Sequence, residues 1–141
     1  MTLMARLLVA ITAALLAAAP AHARVPLQVF FDSGSSRLDE YALATLDNVA
    51  VAARSEGARG IVIRGHADRV GDRGSNLRLS RRRAEAVRDA LLARGVSAGT
   101  VITTAAVGET DPLIETADGV AERQNRHVFI YFVYPNETAP R

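Results

Sequence analysis

Hydrophobic positions recur along the chain with two periods, and each change of period marks the boundary of an element. Short runs of β-branched and aromatic residues fill residues 27–31, 60–65 and 101–107, each bounded by turn-forming residues. A fourth run of this kind covers residues 126–133. The pattern therefore predicts four strands.

Apolar residues at helical spacing predict a first helix over residues 40–56, with Asp39 at its N-cap and Gly57 just beyond its end. A second helix is predicted to start near Asn76 and to run over residues 77–94, and a glycine follows it. The residues of this second helix that are predicted to face the core are Leu77, Ser80, Ala84, Val87 and Leu91.

Residues 109–124 are predicted as a long loop, because Asp111-Pro112 and Asp118-Gly119 are turn signals. A single helical turn is expected near residues 120–123, and residues 135–141 are predicted to form a polar C-terminal tail. The element order is βαβαβ(α)β. Short helical crossovers place both main helices on one face of the sheet, so the predicted fold is an α+β, two-layer sandwich of about four strands.

The first twenty-three residues have a different composition from the rest. A short basic start is followed by an apolar run over residues 7–19 and by small residues around an Ala-x-Ala cleavage site. This arrangement predicts a signal peptide over residues 1–23 and a mature chain that begins at Arg24. The apolar run falls short of the ~20 residues that span a bilayer, so we expect an exported, stand-alone domain over residues 24–134 with no membrane span.

The charge balance and the lack of cysteine exclude several classes of function. The formal net charge is only +2, and every basic residue is arginine, so the pI of about 9.7 reports the high pKa of arginine rather than a strong positive field. This balance does not imply nucleic acid as a partner. The absence of cysteine removes disulfides and thiolate metal sites, so packing alone is expected to hold the fold.

The stretch from Gly65 to Val87 carries the candidate chemistry. Asp68 follows the second predicted strand, and a loop then leads to the helix that contains Arg83. Because each helical residue advances about 100°, Asn76 and Arg83 share a flank at the edge of the core, whereas Arg82 points to solvent and Arg81 lies on the opposite flank. Helical side chains slant toward the N-terminus, so the guanidinium of Arg83 is expected to reach back to the loop.

A carboxylate beside a guanidinium suits a zwitterionic ligand. Asp68 would take an ammonium, and Arg83 would take a carboxylate in a bidentate pair. The N-terminus of the helix adds partial positive charge for the anionic end, so an amino acid head group fits. A structural alternative remains open at this point, in which Asp68 and Arg83 bridge each other and Asn76 serves only as an N-cap.

Several separate motifs occur in a fixed order. They are Gly65-His66-Ala67-Asp68, Gly71, Asn76, Leu79-Ser80, Arg83-Ala84, Val87 and Asn125-Arg126-His127-Val128. Together they resemble the OmpA-like C-terminal domain family, which is shared with the peptidoglycan-associated lipoprotein and the flagellar stator protein MotB. The resemblance covers residues 27–133.

The resemblance implies non-covalent binding of peptidoglycan through the diaminopimelate of its stem peptide. Carried over by position, Asp68 takes the ammonium and Arg83 the carboxylate, while Asn76, Leu79 and Arg126 line the same pocket. No catalytic residue, metal or cofactor is implied. The expected location is the periplasm, in association with the outer membrane or the cell wall.

Three positions depart from the family pattern. Ala67 replaces a threonine, His127 replaces the second arginine of the late motif, and Gly34 stands where other members have a polar side chain. These differences leave Asp68 and Arg83 in place but are expected to weaken the affinity for the ligand. They favour an alternative in which the domain is a periplasmic interaction module for other envelope proteins.

Two further readings have little support. An enzyme would have to rely on His66 and Asp68, and a lone His-x-Asp is weak evidence for acid–base or metal chemistry. We expect His66 to be a buried, hydrogen-bonded residue and His127 to be a surface or interface residue. A nucleic-acid binder would use the arginines of the second helix, which splay around it instead of forming one face: Arg78, Arg81, Arg82, Arg83 and Arg88.

Overall fold

The computed structural model describes residues 26–96 and 99–139. The predicted signal peptide over residues 1–23 and the predicted start at Arg24 lie outside these residues, as do the last two residues of the tail. The four strands are β1 (Leu27–Phe30), β2 (Gly60–His66), β3 (Val101–Gly108) and β4 (His127–Val133). The two helices are α1 (Glu40–Ser55) and α2 (Arg73–Ala93).

The strands form one mixed sheet in the order β1-β4-β2-β3. β4 is antiparallel to both of its neighbours, and β2 is parallel to β3. The crossovers β1–α1–β2 and β2–α2–β3 both progress toward the β3 edge. Right-handed crossovers that progress in one direction keep their helices on one face, which confirms the predicted two-layer α+β sandwich.

The core fills the space between the sheet and the two helices. α1 contributes Leu46, Val49 and Ala50, and β2 contributes Ile61 and Ile63, all at most 1% exposed. α1 begins where the sequence predicts, since the carboxylate of its N-cap residue accepts the backbone N–H of Ala42 at 2.8 Å.

The predicted start of the second helix is wrong by about one turn. α2 begins at Arg73, because Asp72 caps it by accepting the backbone N–H of Ser75 at 2.9 Å and the Ser75 hydroxyl at 2.7 Å. These hydrogen bonds to Ser75 are also the main reason that the pKa of Asp72 is lowered. Asn76 therefore lies inside the first turn and is not the N-cap. Gly74, a poor helix former, hides this start in the sequence.

The predicted core face of α2 also needs one correction. Ser80 and the three predicted positions after it are buried, whereas Leu77 is 41% exposed. Leu77 lies at the edge of the sheet, where its backbone and side chain approach Gly108 of β3. The buried face instead includes Leu79 and Arg83.

α2 approaches β2 very closely at Gly65. A Cβ atom placed there would lie 1.9 Å from the carbonyl oxygen of Ser80, so only glycine allows this contact. The Ser80 hydroxyl donates to the carbonyl of Leu77 at 2.8 Å and accepts the N–H of Gly108 at 2.9 Å. These contacts bring α2 against the C-terminal ends of both parallel strands.

The remaining boundaries differ only slightly from the prediction. The long loop contains one 3₁₀ turn, Arg123–Asn125, a few residues later than the predicted turn. Within residues 26–96 and 99–139, no helix combines the length and the hydropathy that crossing a membrane requires.

Candidate functional site

The candidate site lies where β2 ends and β4 begins. Because these strands are antiparallel, Gly65 pairs with Val128, and the residues just beyond each end come together. Asp68 and Arg126 meet there as an ion pair, with 3.1 Å between Oδ2 and Nη1. Their side chains are 7% and 14% exposed, so the pair is largely shielded but still reaches the surface.

Backbone donors complete the surroundings of the Asp68 carboxylate. Its Oδ2 also accepts the N–H of Glu122 at 3.2 Å, and its Oδ1 accepts the N–H of Val70 at 3.3 Å. The second donor of Arg126, Nε, bonds the carbonyl of Phe31 at 3.0 Å. The pair therefore joins the β2 exit, the long loop and the end of β1.

Arg83 is fully buried and fastens α2 to two other segments. Its Nε donates to the carbonyl of Ser35 at 2.8 Å, Nη1 to that of His66 at 2.9 Å, and Nη2 to that of Asp32 at 3.0 Å. The guanidinium also lies 5.2 Å from the centre of the Phe31 ring. Arg83 thus reaches back to the end of β2, but its other two hydrogen bonds go to the turn before α1 and none goes to the predicted loop after β2. The outward position of Arg82 is confirmed.

Burial makes the charge of Arg83 costly. The pKa of Arg83 is lowered to about 10, mainly by desolvation; the carboxylate of Asp68 opposes this shift, and the positive charges of Arg126 and Arg82 add to it. No ion pair joins Asp68 to Arg83 among the described residues. The structural alternative, a direct bridge between Asp68 and Arg83, is therefore wrong, because Asp68 pairs with Arg126 instead.

Asn76 is held by a residue that the sequence reasoning missed. Its Nδ2 donates to Oε2 of Glu109 at 2.6 Å, and Oε1 of Glu109 lies 3.7 Å from Nε of Arg73. Glu109 follows β3 directly, and the C-terminal ends of parallel strands meet at one edge of a sheet. The sequence carries no local signal for Glu109, because the position of β3 beside β2 decides the contact.

The long loop forms one wall beside these residues. The buried side chain of Asn125 accepts the N–H of Ile114 at 2.9 Å and donates to its carbonyl at 2.7 Å. Arg69 donates to the carbonyl of Thr116 at 2.7 Å. Among the predicted site residues, Leu79 is also buried, at 8% exposure.

The two histidines beside the site differ from the predictions. His127 is fully buried rather than at the surface, and its ring stacks on that of His66 with 4.3 Å between centroids. His66 is buried as predicted, but neither of its ring nitrogens makes a hydrogen bond of normal geometry. The predicted hydrogen-bonded His66 is therefore wrong in that respect.

Within the described ranges, acidic and histidine side chains nowhere form a group of three or more that could hold a metal ion. A mainly apolar cleft of about 290 Å³ lies at the opposite end of the strands, against Gly60, Val101 and Val133. It is remote from Asp68 and Arg126.

The model of the OmpA family matches residues 30–126. This chain belongs to the OmpA family. The match includes both ends of the candidate site, Asp68 and Arg126, and the helix between them. It confirms the resemblance predicted from the motifs.

Individual relatives agree with this assignment. The chain is 40% identical over 99 residues to the peptidoglycan-associated lipoprotein of Rhizobium meliloti, covering 70% of this chain and 56% of that protein. It is also 40% identical over 70 residues to the peptidoglycan-binding protein ArfA of Mycobacterium tuberculosis, covering 50% of this chain and 21% of ArfA. Neither of these two names describes a catalytic activity.

A solved structure shows the same fold. The crystal structure of the peptidoglycan-associated lipoprotein from Burkholderia pseudomallei superposes with a TM-score of 0.65 at 32% sequence identity. The match covers 74% of this chain and 88% of that one. Nearly the whole of that solved domain is therefore represented here, whereas the chain spans only about half or less of its full-length relatives.

Proposed function

We propose that this domain binds peptidoglycan non-covalently through the diaminopimelate of the stem peptide. The observation that carries the proposal is the largely shielded Asp68 carboxylate, beside two arginines, in a member of the OmpA family. The names of two relatives associate them with peptidoglycan, which supports the same ligand class. Export to the periplasm by the predicted signal peptide belongs to this proposal.

Asp68 is proposed to take the ammonium group. Its present contacts are one guanidinium and two backbone N–H groups, with distances of 3.1, 3.2 and 3.3 Å. The two longer bonds are weak, so an incoming ammonium can replace them with a charge-assisted hydrogen bond. Arg126 stays beside the same carboxylate.

Arg83 is proposed to take the ligand carboxylate. A guanidinium carries five N–H donors, and the three carbonyl contacts of Arg83 leave one N–H on each Nη nitrogen. Those two donors form the fork that a carboxylate matches. Because Arg83 has no exposed surface, the ligand reaches it only if the turn at residues 32–35 moves aside.

Asn76 and Leu79 are proposed to line the same pocket. The carboxylate of Glu109 can only accept, so it fixes the Asn76 amide with Nδ2 toward Glu109. The oxygen Oδ1 is then an acceptor for the ligand ammonium. Leu79, on the same side of α2, supplies apolar contact for the methylene carbons of diaminopimelate.

Co-sedimentation with purified sacculi tests the proposal. We expect the unmodified protein to pellet with sacculi and Asp68→Asn to remain in the supernatant, because the neutral amide no longer attracts an ammonium. Arg82→Gln is the matched control, since Arg82 lies on the same helix but is exposed. Circular dichroism of each variant checks that the fold is retained.

Equal pelleting of all three proteins would show that the pocket is not the binding site. If the unmodified protein stays in the supernatant, the domain does not bind the wall, and the interaction module for envelope proteins becomes the leading function. New muropeptides after prolonged incubation would instead indicate an enzyme.

A further inference from the structure

Two imidazole rings are stacked on the sheet face that points away from the helices. The rings of His66 and His127 are at most 2% exposed and nearly parallel, with an interplanar angle of 19°. Phe129 packs edge-on against both rings, at 5.5 and 4.4 Å between centroids. Parallel rings do not converge their nitrogens on one point, so this pair is not arranged as a metal site.

The pair has almost no polar compensation. Nδ1 of His127 bonds the carbonyl of Gln124 at 2.8 Å, but its Nε2 makes no hydrogen bond, and the ring of His66 has only a weak contact with the backbone of Asp111. No carboxylate forms an ion pair with either ring among the described residues. Such an environment holds both rings in the neutral form.

The nearby arginines also favour the neutral rings, and Asp111 opposes them. Burial, the neighbouring His127 and Arg64 lower the pKa of His66 to about 3, and the backbone of Asp111 is the weakest, opposing influence. Burial and Arg83 lower the pKa of His127 to about 4, against the Gln124 carbonyl and Asp111. Proton uptake by either ring therefore opposes the folded arrangement.

The stacked pair connects the two segments that carry the site. The carbonyl of His66 is an acceptor for Arg83, and Asp68 follows two residues later. His127 comes directly after Arg126, whose guanidinium pairs with Asp68. Separation of the two rings would pull apart the end of β2 and the start of β4.

We propose that the His66–His127 pair is a pH-sensitive latch. When both rings are neutral, the pair holds the two segments of the Asp68–Arg126 site together; when the rings are protonated, the segments separate and the site opens. Two positive rings in contact repel each other, and each gains water by moving out of the stack. The consequence for ligand affinity rests on the proposed function, whereas the opening of the strand ends does not.

The number of protons bound by the open and closed states decides whether low pH favours opening. An exposed histidine titrates near pH 6.5, so the open state binds more protons than the closed state below that pH. Opening is therefore favoured about tenfold per histidine for each pH unit below 6.5, down to the lowered pKa values. At pH 5, opening should rise roughly 30-fold for one histidine and roughly 1,000-fold for two.

Amide hydrogen exchange on the unliganded protein at pH 7.5 and 5.0 measures this opening. After correction for intrinsic exchange, we expect opening constants at residues 66–68 and 126–128 to rise steeply at pH 5.0, while the α1 amides change far less. His127→Phe keeps an aromatic stack with one titratable ring fewer, so its rise should be close to 30-fold. His127→Gln, which retains a donor for the Gln124 carbonyl, serves if the phenylalanine variant does not fold.

Opening constants that do not change with pH in the unmodified protein would overturn the latch. An unchanged pH dependence in both His127 variants would do the same. A second arm measures binding of a diaminopimelate-containing stem peptide, which should weaken at pH 5.0 in parallel with opening. If the stem peptide does not bind at pH 7.5, the proposed function is rejected. The hydrogen-exchange measurement still decides whether the latch exists.

Discussion

The two arginines beside the candidate site differ in their partners and in their exposure to solvent. Arg126 faces the carboxylate of Asp68 at 3.1 Å and keeps 14% of its side chain exposed. Arg83 has no exposed surface and bonds three backbone carbonyls, without an ion pair among the described residues. The Asp68–Arg126 pair near solvent is available for exchange with a ligand, whereas Arg83 first holds the chain together and meets a ligand only when the turn at residues 32–35 moves aside.

This difference separates stability from binding. Arg83 joins α2 to the turn at residues 32–35 and to the end of β2, so its removal affects the fold first. Asp68 joins loops that already carry other hydrogen bonds, so its removal affects the ligand first. Substitutions at the two positions should therefore change different measurements.

The largest expected effect is that of Arg83→Met. The variant leaves the carbonyls of Asp32, Ser35 and His66 without their donor, and we expect the free energy of unfolding to fall by about 3 kcal/mol or more. Urea denaturation measures the loss. Arg82→Met is the matched control and should change stability by less than about 0.5 kcal/mol. Equal losses in both variants would contradict the structural role of Arg83.

Asp68→Asn should reduce ligand affinity more than stability, the reverse of the expectation for Arg83→Met. The amide keeps an acceptor for Arg126 and Glu122, so the stability loss should stay near about 1 kcal/mol. Affinity for a diaminopimelate peptide should fall by more than about tenfold, because the ammonium loses its counter-charge. Calorimetric titration at pH 7.5 measures it, and retained affinity with reduced stability would assign Asp68 a purely structural role.

The smallest effect is expected for Glu109→Gln. The variant keeps an acceptor for Asn76 but loses the charge of that hydrogen bond, which is worth about 0.5 to 1 kcal/mol. Affinity should then weaken by roughly threefold with little change in stability. Asn76→Ala should weaken binding at least as much. If Glu109→Gln binds as tightly as the unmodified protein, Glu109 does not position Asn76.

Much of the fold could be predicted because its signals are local. The N-cap at Asp39 and the short β-branched strands are read from neighbouring residues. The choice of Arg83 over Arg82 also followed from sequence, since helical phase sets Arg83 at the edge of the core and points Arg82 to solvent. The complete burial of Arg83 was not predicted. The start of α2 was missed because Gly74 conceals a helix that Asp72 caps.

What could not be predicted depends on contacts between distant segments. Glu109 meets Asn76 only because β3 lies beside β2, and the sequence does not state strand order. His127 alternates with core residues, so the pattern placed it on an exposed face. The ring of His66, which belongs to another strand, packs against it there.

The central claim is that the Asp68 site binds a group with both an ammonium and a carboxylate. The most direct measurement is a nuclear magnetic resonance titration with two stem peptides, one containing diaminopimelate and the other lysine, which lacks the distal carboxylate. We predict saturable shifts at Asp68, Asn76 and Arg126 with the diaminopimelate peptide and much weaker shifts with the lysine peptide. Equal shifts with both peptides, or shifts confined to residues away from this site, would contradict the claim.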